Sequence, residues 1–147
     1  MAKEAGLAIG TLSVDDSGGT ARDIRNDITS FTFSTPRAEQ DITGIDRSAR
    51  ERLLLLADFS INLEGVFNDG AAPSAHDTFK TVPSTSVART TSIAISGQNL
   101  YGDGSVGLEV WYTDYALSRP QSGELTWRAP GVMSGTRSTT AQIPTWS

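Results

Sequence analysis

From Ala57 onward the chain alternates between apolar and polar positions. Ala57, Phe59, Ile61, Leu63, Gly65 and Phe67 fall on one face of an extended backbone, and Asp58, Ser60, Asn62 and Glu64 on the other. A sustained period of two predicts a strand with one buried and one wet face. Just before it, Leu53 to Leu56 are apolar at every position, so both faces there require cover. Read as one strand, Arg52 to Phe67 would reach roughly 50 Å at ~3.3 Å per residue. A small domain is narrower, so the strand either bends between two sheets or projects toward a neighbour. A helix over Ser48–Ala57 competes for the first half. Ser48 and Glu51 have capping-box spacing, and residues 49–54 are good helix formers.

The remaining pattern is also mainly β. In Gly6 to Val14 the larger apolar residues change faces at Gly10, which predicts a first strand with a bulge. Asp15 to Gly19 reads as a turn. Thr29, Phe31 and Phe33 share one face of a second strand that Pro36 ends. Pro36 to Asp46 is polar but β-prone, with Ile42 and Ile45 among Arg37, Glu39, Asp41 and Asp46; it predicts a protruding arm. Ser74 to Val82 predicts a short helix capped by Ser74, with Ala75, Phe79 and Val82 as its apolar stripe. Further strands are expected over Val87–Gln98, Leu108–Ala116 and Glu124–Ala129, with turns at Leu100–Gly104 and Arg119–Gly123. The tail from about 134 to 147 is polar and either loose or docked on a neighbour. No repeat or linker divides residues 1–147, so one mainly β domain with one short helix is the simplest architecture.

Composition adds two constraints. Hydrophobic residues make up 37% of the 147 residues, lean for a self-sufficient monomer, so partners are expected to complete some apolar surface. The net charge of −5 disfavours a nucleic-acid grip, which needs clustered cations. There is no cysteine, hence no disulfide or thiolate metal site. No apolar run is long enough to span a membrane, and the amino-terminal residues lack the apolar core of a secretion signal.

Chemistry is hard to assemble from this inventory. His76 is the single histidine, with no second imidazole or thiol to form a metal or nucleophile constellation. The carboxylates Glu39, Asp41, Asp58, Glu64, Glu109 and Asp114 would serve an acid–base pair only if buried, and most occupy solvent-facing positions. The glycine clusters at Gly102–Gly104 and Gly131–Gly135 lack the lysine of a phosphate loop. No catalytic, cofactor-binding or metal-binding residue is therefore assigned, and the chain is not expected to be an enzyme. The aromatics Trp111, Tyr112, Tyr115 and Trp127 leave a carbohydrate-binding β-sandwich module as the alternative, against ordinary core or interface packing.

An ordered set of residues resembles one known family. It comprises Asp27–Phe31, Ser34–Arg37, Gln40–Asp46, Glu51–Leu53, Leu56–Ser60, Leu63, Gly65, Phe67–Asp69, His76, Phe79 and Lys80. The sequence resembles the major tail tube proteins of long, non-contractile-tailed bacteriophages. That resemblance implies a β-sandwich or partial barrel with one flanking helix, its inner sheet completing a barrel in a ring of six copies. It implies stacked rings that form the virion's hollow tail tube, made in the host cytoplasm, through which DNA passes on ejection. Tape-measure and tail-completion proteins are implied as further partners, with no membrane and no cofactor. On this reading Asp58 and Glu64 are lumen-facing candidates. Pro36, Arg37, Glu39, Asp41, Ile42, Ile45 and Asp46 are candidates for the contact between rings.

Overall fold

The computed structural model describes residues 9–71, 73–95, 99–102, 107–137, 140–142 and 144–146. The strands are β1 (Thr11–Asp15), β2 (Ala21–Asp23), β3 (Ile28–Ser34), β4 (Arg37–Asp41), β5 (Arg52–Ala57), β6 (Ser60–Val66), β7 (Arg89–Ile95) and β8 (Asn99–Gly102). They continue with β9 (Leu108–Tyr112), β10 (Ala116–Ser118), β11 (Thr126–Met133), β12 (Thr136–Arg137), β13 (Thr140–Ala141) and β14 (Thr145–Trp146). A 3₁₀ turn covers Arg25–Asp27, and the helix α1 is Ala75–Phe79.

A 10-stranded sheet runs β14-β8-β7-β9-β11-β6-β3; off this path β1 pairs with β7 and β2, and β10 pairs with β11. All its pairings are antiparallel. The sheet does not close, and β3 is an edge strand. It bends round one core to which β1, β6, β7, β9, β11 and α1 all contribute, including Leu12, Val14, Ile61, Leu63, Phe79 and Trp127. The result is the sandwich-like, mainly β fold expected, with one short helix.

The long alternating stretch is where sequence and structure meet most closely. Phe59, Ile61, Leu63 and Gly65 are buried, while Asp58, Ser60 and Glu64 are exposed. Yet Arg52 to Phe67 is not one strand. It breaks at Asp58–Phe59 into β5 and β6, which belong to different sheets. The competing helix does not form: residues 52–57 pair with β4 as a separate hairpin. Gly65 is required by closeness. A Cβ there would stand 1.8 Å from the Asp27 carbonyl oxygen, a backbone atom that cannot step aside.

The helix is tied at both ends by charged groups remote in sequence, one from the 3₁₀ turn and one from β7. Ser74 caps it, its hydroxyl accepting from the Asp77 amide at 3.1 Å. The buried Asp27 carboxylate accepts from the Ala75 amide at 2.8 Å and from Asn68 Nδ2 at 2.9 Å. At the other end the buried Arg89 guanidinium donates to the Thr78 carbonyl at 2.6 Å, the Asp15 carbonyl at 3.1 Å and Thr81 Oγ1 at 2.9 Å. Burial pulls the Arg89 pKa down, and these acceptors replace the water it gives up.

Three expectations need correction. The turn placed at Leu100–Gly104 begins instead as β8, which pairs with β7; Asp103 and Gly104 lie outside the described residues. The last long strand runs past Ala129 through Pro130 to Met133. Proline is tolerated because β11 changes partners there: it pairs with β10 over Thr126–Arg128 and with β9 over Gly131–Met133. Pro130 sits in the gap, where its carbonyl accepts from the Thr113 amide at 3.0 Å. The first strand starts at Thr11, with Gly10 in a bend before it; Gly6 to Ala8 lie outside the described residues. In the tail, β12 pairs with β13 and β14 adds to β8.

Candidate assembly surface

The arm is larger than the sequence suggested. It is a two-stranded hairpin, β4 against β5, in register from Asp41↔Arg52 to Arg37↔Ala57 with one irregularity between Arg37 and Glu39. Every residue of β4 and β5 is exposed except the half-buried Ala57. The neck is held by the Asp58 amide on the Pro36 carbonyl at 3.0 Å and by the Ser34 and Ser60 hydroxyls, 3.2 Å apart. The loop 42–51 closes through Thr43, whose hydroxyl meets Asp41 and accepts from the Glu51 amide at 2.8 Å. Thr43 thereby holds the Asp41 carboxyl below its ordinary range.

The sequence-picked residues Pro36, Arg37, Glu39, Asp41, Ile42, Ile45 and Asp46 all lie on this arm or at its neck and are exposed. The leucines opposite them were missed as arm residues, because four adjacent apolar side chains read as core. Leu53, Leu54, Leu55 and Leu56 are 51%, 57%, 38% and 90% exposed. Leu56 is almost wholly open, Leu53 and Leu54 are about half open, and Leu55 is the most covered of the four. The arm's charges are satisfied within it. Arg52 faces Glu39 at 3.4 Å, Arg50 faces Asp41 at 3.8 Å, and Arg47 lies 3.3 Å from Glu51 and 3.8 Å from Asp46. Arg37 donates to the Leu55 carbonyl at 2.8 Å. Such exposed pairs contribute little stability, about 0–1 kcal/mol each, but they leave the arm without net charge, so the net charge of −5 belongs to the rest of the chain.

Asp58 and Glu64 point outward on the wet side of β6, beside the hydroxyls of Ser30, Thr32, Ser34 and Ser60 on β3 and β6. The register adds a residue the sequence could not place: Arg128 of β11 stands directly opposite Glu64. The strip is therefore hydroxyl-rich and of mixed charge rather than uniformly acidic.

The other candidates fall to packing. His76 Nδ1 lies 3.0 Å from the Tyr115 hydroxyl, and its ring packs 4.8 Å from that of Phe67. Burial pushes the Tyr115 phenol up to about 12. Tyr112 and Trp127 are core residues, which leaves Trp111, 41% exposed, as the one open aromatic of the four considered. Asp15 closes β1 and the residues after it form a plain turn: Asp16 accepts from the Gly18 and Thr20 amides at 2.9 and 3.0 Å and pairs with Arg22 at 2.9 Å. Among the described residues no group of three or more histidine or carboxylate side chains is placed to hold a metal. No helix among them is long and apolar enough to cross a membrane.

No family profile matches the sequence, and no curated protein is similar to it. Solved structures are similar in fold. A chain from the virion of a native gene transfer agent particle superposes with a TM-score of 0.62 at 16% identity, over 95% of this chain and 100% of that one. A chain from the tail of an empty gene transfer agent particle, determined with C6 symmetry, gives 0.64 at 18% identity over the same shares. The present chain shares their fold. Both alignments span nearly its whole length.

Proposed function

We propose that this chain is a structural subunit of a phage-like tail, and that its copies close into rings of six which stack into a hollow tube. The observation that carries the reading is the leucine-bearing arm, apolar at four successive positions that the described residues leave 38–90% exposed. A two-stranded hairpin is marginal in water by itself, and an apolar patch of this kind marks a protein interface. The fold shared with chains of a virion and of a C6-symmetric tail supports the same reading. The free edge of β3 is the second unfinished feature, since an open strand edge pairs with another chain unless it is blocked. In a ring, neighbouring copies supply that pairing. The protein is structural, not catalytic, and acts in the particle's tail.

In such a tube the wet face of β3, β6 and β11 forms the lumen wall. Its hydroxyls and the excess of Asp58 and Glu64 over Arg128 give DNA no cationic hold, the inverse of a binding footprint. Changing both Asp58 and Glu64 to lysine is expected to leave assembly intact and to slow genome delivery. Unchanged delivery would argue against the lumen assignment. The carbohydrate-module alternative is disfavoured by the burial of Tyr112 and Trp127. Negative-stain microscopy of the concentrated protein separates the readings. Rings or tubes are expected; monodisperse single particles at every concentration would overturn the proposal.

A further inference from the structure

The arm continues the β3–β6 ribbon in the same register. Ser34 opposes Ser60, and Arg37 opposes Ala57. Between these pairs lie Thr35 and Pro36 on one strand and Asp58 and Phe59 on the other, so no residue is gained or lost across the break. An unbroken register predicts an unbroken ladder. Yet β3 and β6 belong to one sheet, and β4 and β5 to another.

Proline accounts for the break. The Asp58 amide donates to the Pro36 carbonyl at 3.0 Å. In an antiparallel ladder such a bond marks a pair that exchanges two bonds. Proline has no N–H, so the return bond is missing. A proline is ordinarily tolerated in a sheet where its nitrogen faces solvent; this one faces its partner strand. Asp58 loosens the same point from the other side. Its carboxylate accepts from the Phe59 amide at 2.7 Å, and the Phe59 carbonyl accepts from the Met133 amide at 3.0 Å. Phe59 is thus fixed to the body and buried, while Pro36 is exposed. One backbone bond holds the ribbon at this pair, with the Ser34 and Ser60 hydroxyls 3.2 Å apart just before it. Just beyond, the register slips between Arg37 and Glu39, and such an irregularity adds local twist.

We propose that the Pro36–Asp58 pair is a hinge, about which the arm turns as one rigid hairpin until a neighbouring copy fixes its direction. This rests on the reading of the arm as the assembly surface and goes beyond it by naming what aims the arm. The hairpin itself stays stiff, because its own ladder and the Arg37 bond to the Leu55 carbonyl lie wholly beyond the pair.

Pulsed dipolar spectroscopy tests it, since the chain has no cysteine of its own to compete for the labels. Nitroxides are placed on Gln40→Cys in the arm and Gln121→Cys in the body; Thr20→Cys with Gln121→Cys is the body-only control. All three positions are exposed. In dilute protein the arm–body distances are expected to spread at least about twofold wider than the control. Pro36→Val, which supplies the missing donor on a residue that favours strands, should narrow them to the control width. Assembly with excess unlabelled protein should do the same. An arm–body width equal to the control in dilute protein would overturn the hinge. A wide distribution that Pro36→Val leaves unchanged would overturn the role given to proline, and one that stays wide in assembled particles would overturn the fixing by a neighbour. Protein that shows the hinge but never assembles would overturn the tube reading alone.

Discussion

The run from Arg52 to Val66 contains two strands that differ in one respect: β6 is covered by the described residues of its own chain, and β5 is left largely open by them. In β6 every second residue is buried, and the strand is paired on both sides, by β3 and β11. In β5 apolar residues occupy successive positions, only β4 pairs with it, and all but Ala57 are exposed. The same chemistry, leucine in an extended chain, has opposite meanings in the two halves. Alternation announces a strand completed by its own fold. Unbroken apolarity announces one that needs cover on both faces, which the described residues of this chain leave incomplete.

The largest effect that tests this contrast is deletion of residues 37–57. Pro36 and Asp58 are already joined by a hydrogen bond of 3.0 Å, so a short linker can replace the arm. The body should keep its cooperative unfolding transition, and sedimentation should show no particle larger than the monomer at any concentration. Assembly of the deletion variant would remove the arm from the account.

Next come single leucines from the two halves. Leu63 is fully buried, so Leu63→Ala should cost about 2–5 kcal/mol in urea unfolding of the monomer. Leu56→Ser, at an exposed site, should change the same quantity by no more than ~0.5 kcal/mol and yet abolish assembly. Equal effects on monomer stability would mean that the arm is packed after all.

The smallest effect belongs to the body alone. Burial, with Glu109 and Asp16 adding like charge, raises the Asp15 pKa above its ordinary value despite hydrogen bonds from Thr90. An acid whose folded pKa is raised is ionised first in the unfolded chain, so its contribution turns unfavourable as pH rises through those two values. Asp15→Asn should therefore stabilise the monomer slightly at pH 7 and not at pH 3. A constant difference across that range in urea titrations would contradict the sign.

Much of this molecule was legible in its sequence, and the gaps have physical causes. Period-two alternation exposed β6, β9 and the phenylalanine face of β3, because each lies with one side on the core and one in water. Ser74 marked the helix start because its cap is local. Arg89 could not be read as buried, since its acceptors at Asp15 and Thr78 are brought to it only by the fold. Register hid the Arg128–Glu64 pair in the same way. Pro130 truncated a strand on paper because its tolerance depends on where β11 changes neighbours. The arm was placed but drawn too small. Its polar half looked like a projection and its leucine half like core, and only the hairpin pairing shows that they are one element.

The central claim is that other copies complete the arm. Hydrogen exchange of the Leu53–Leu56 backbone amides, compared between dilute monomer and concentrated assembly, tests it directly. The account predicts rapid exchange in the monomer and strong protection on assembly, with the Ile61–Leu63 amides protected in both. Arm amides that exchange equally fast in assembled particles, or that are already protected at the greatest dilution, would contradict it.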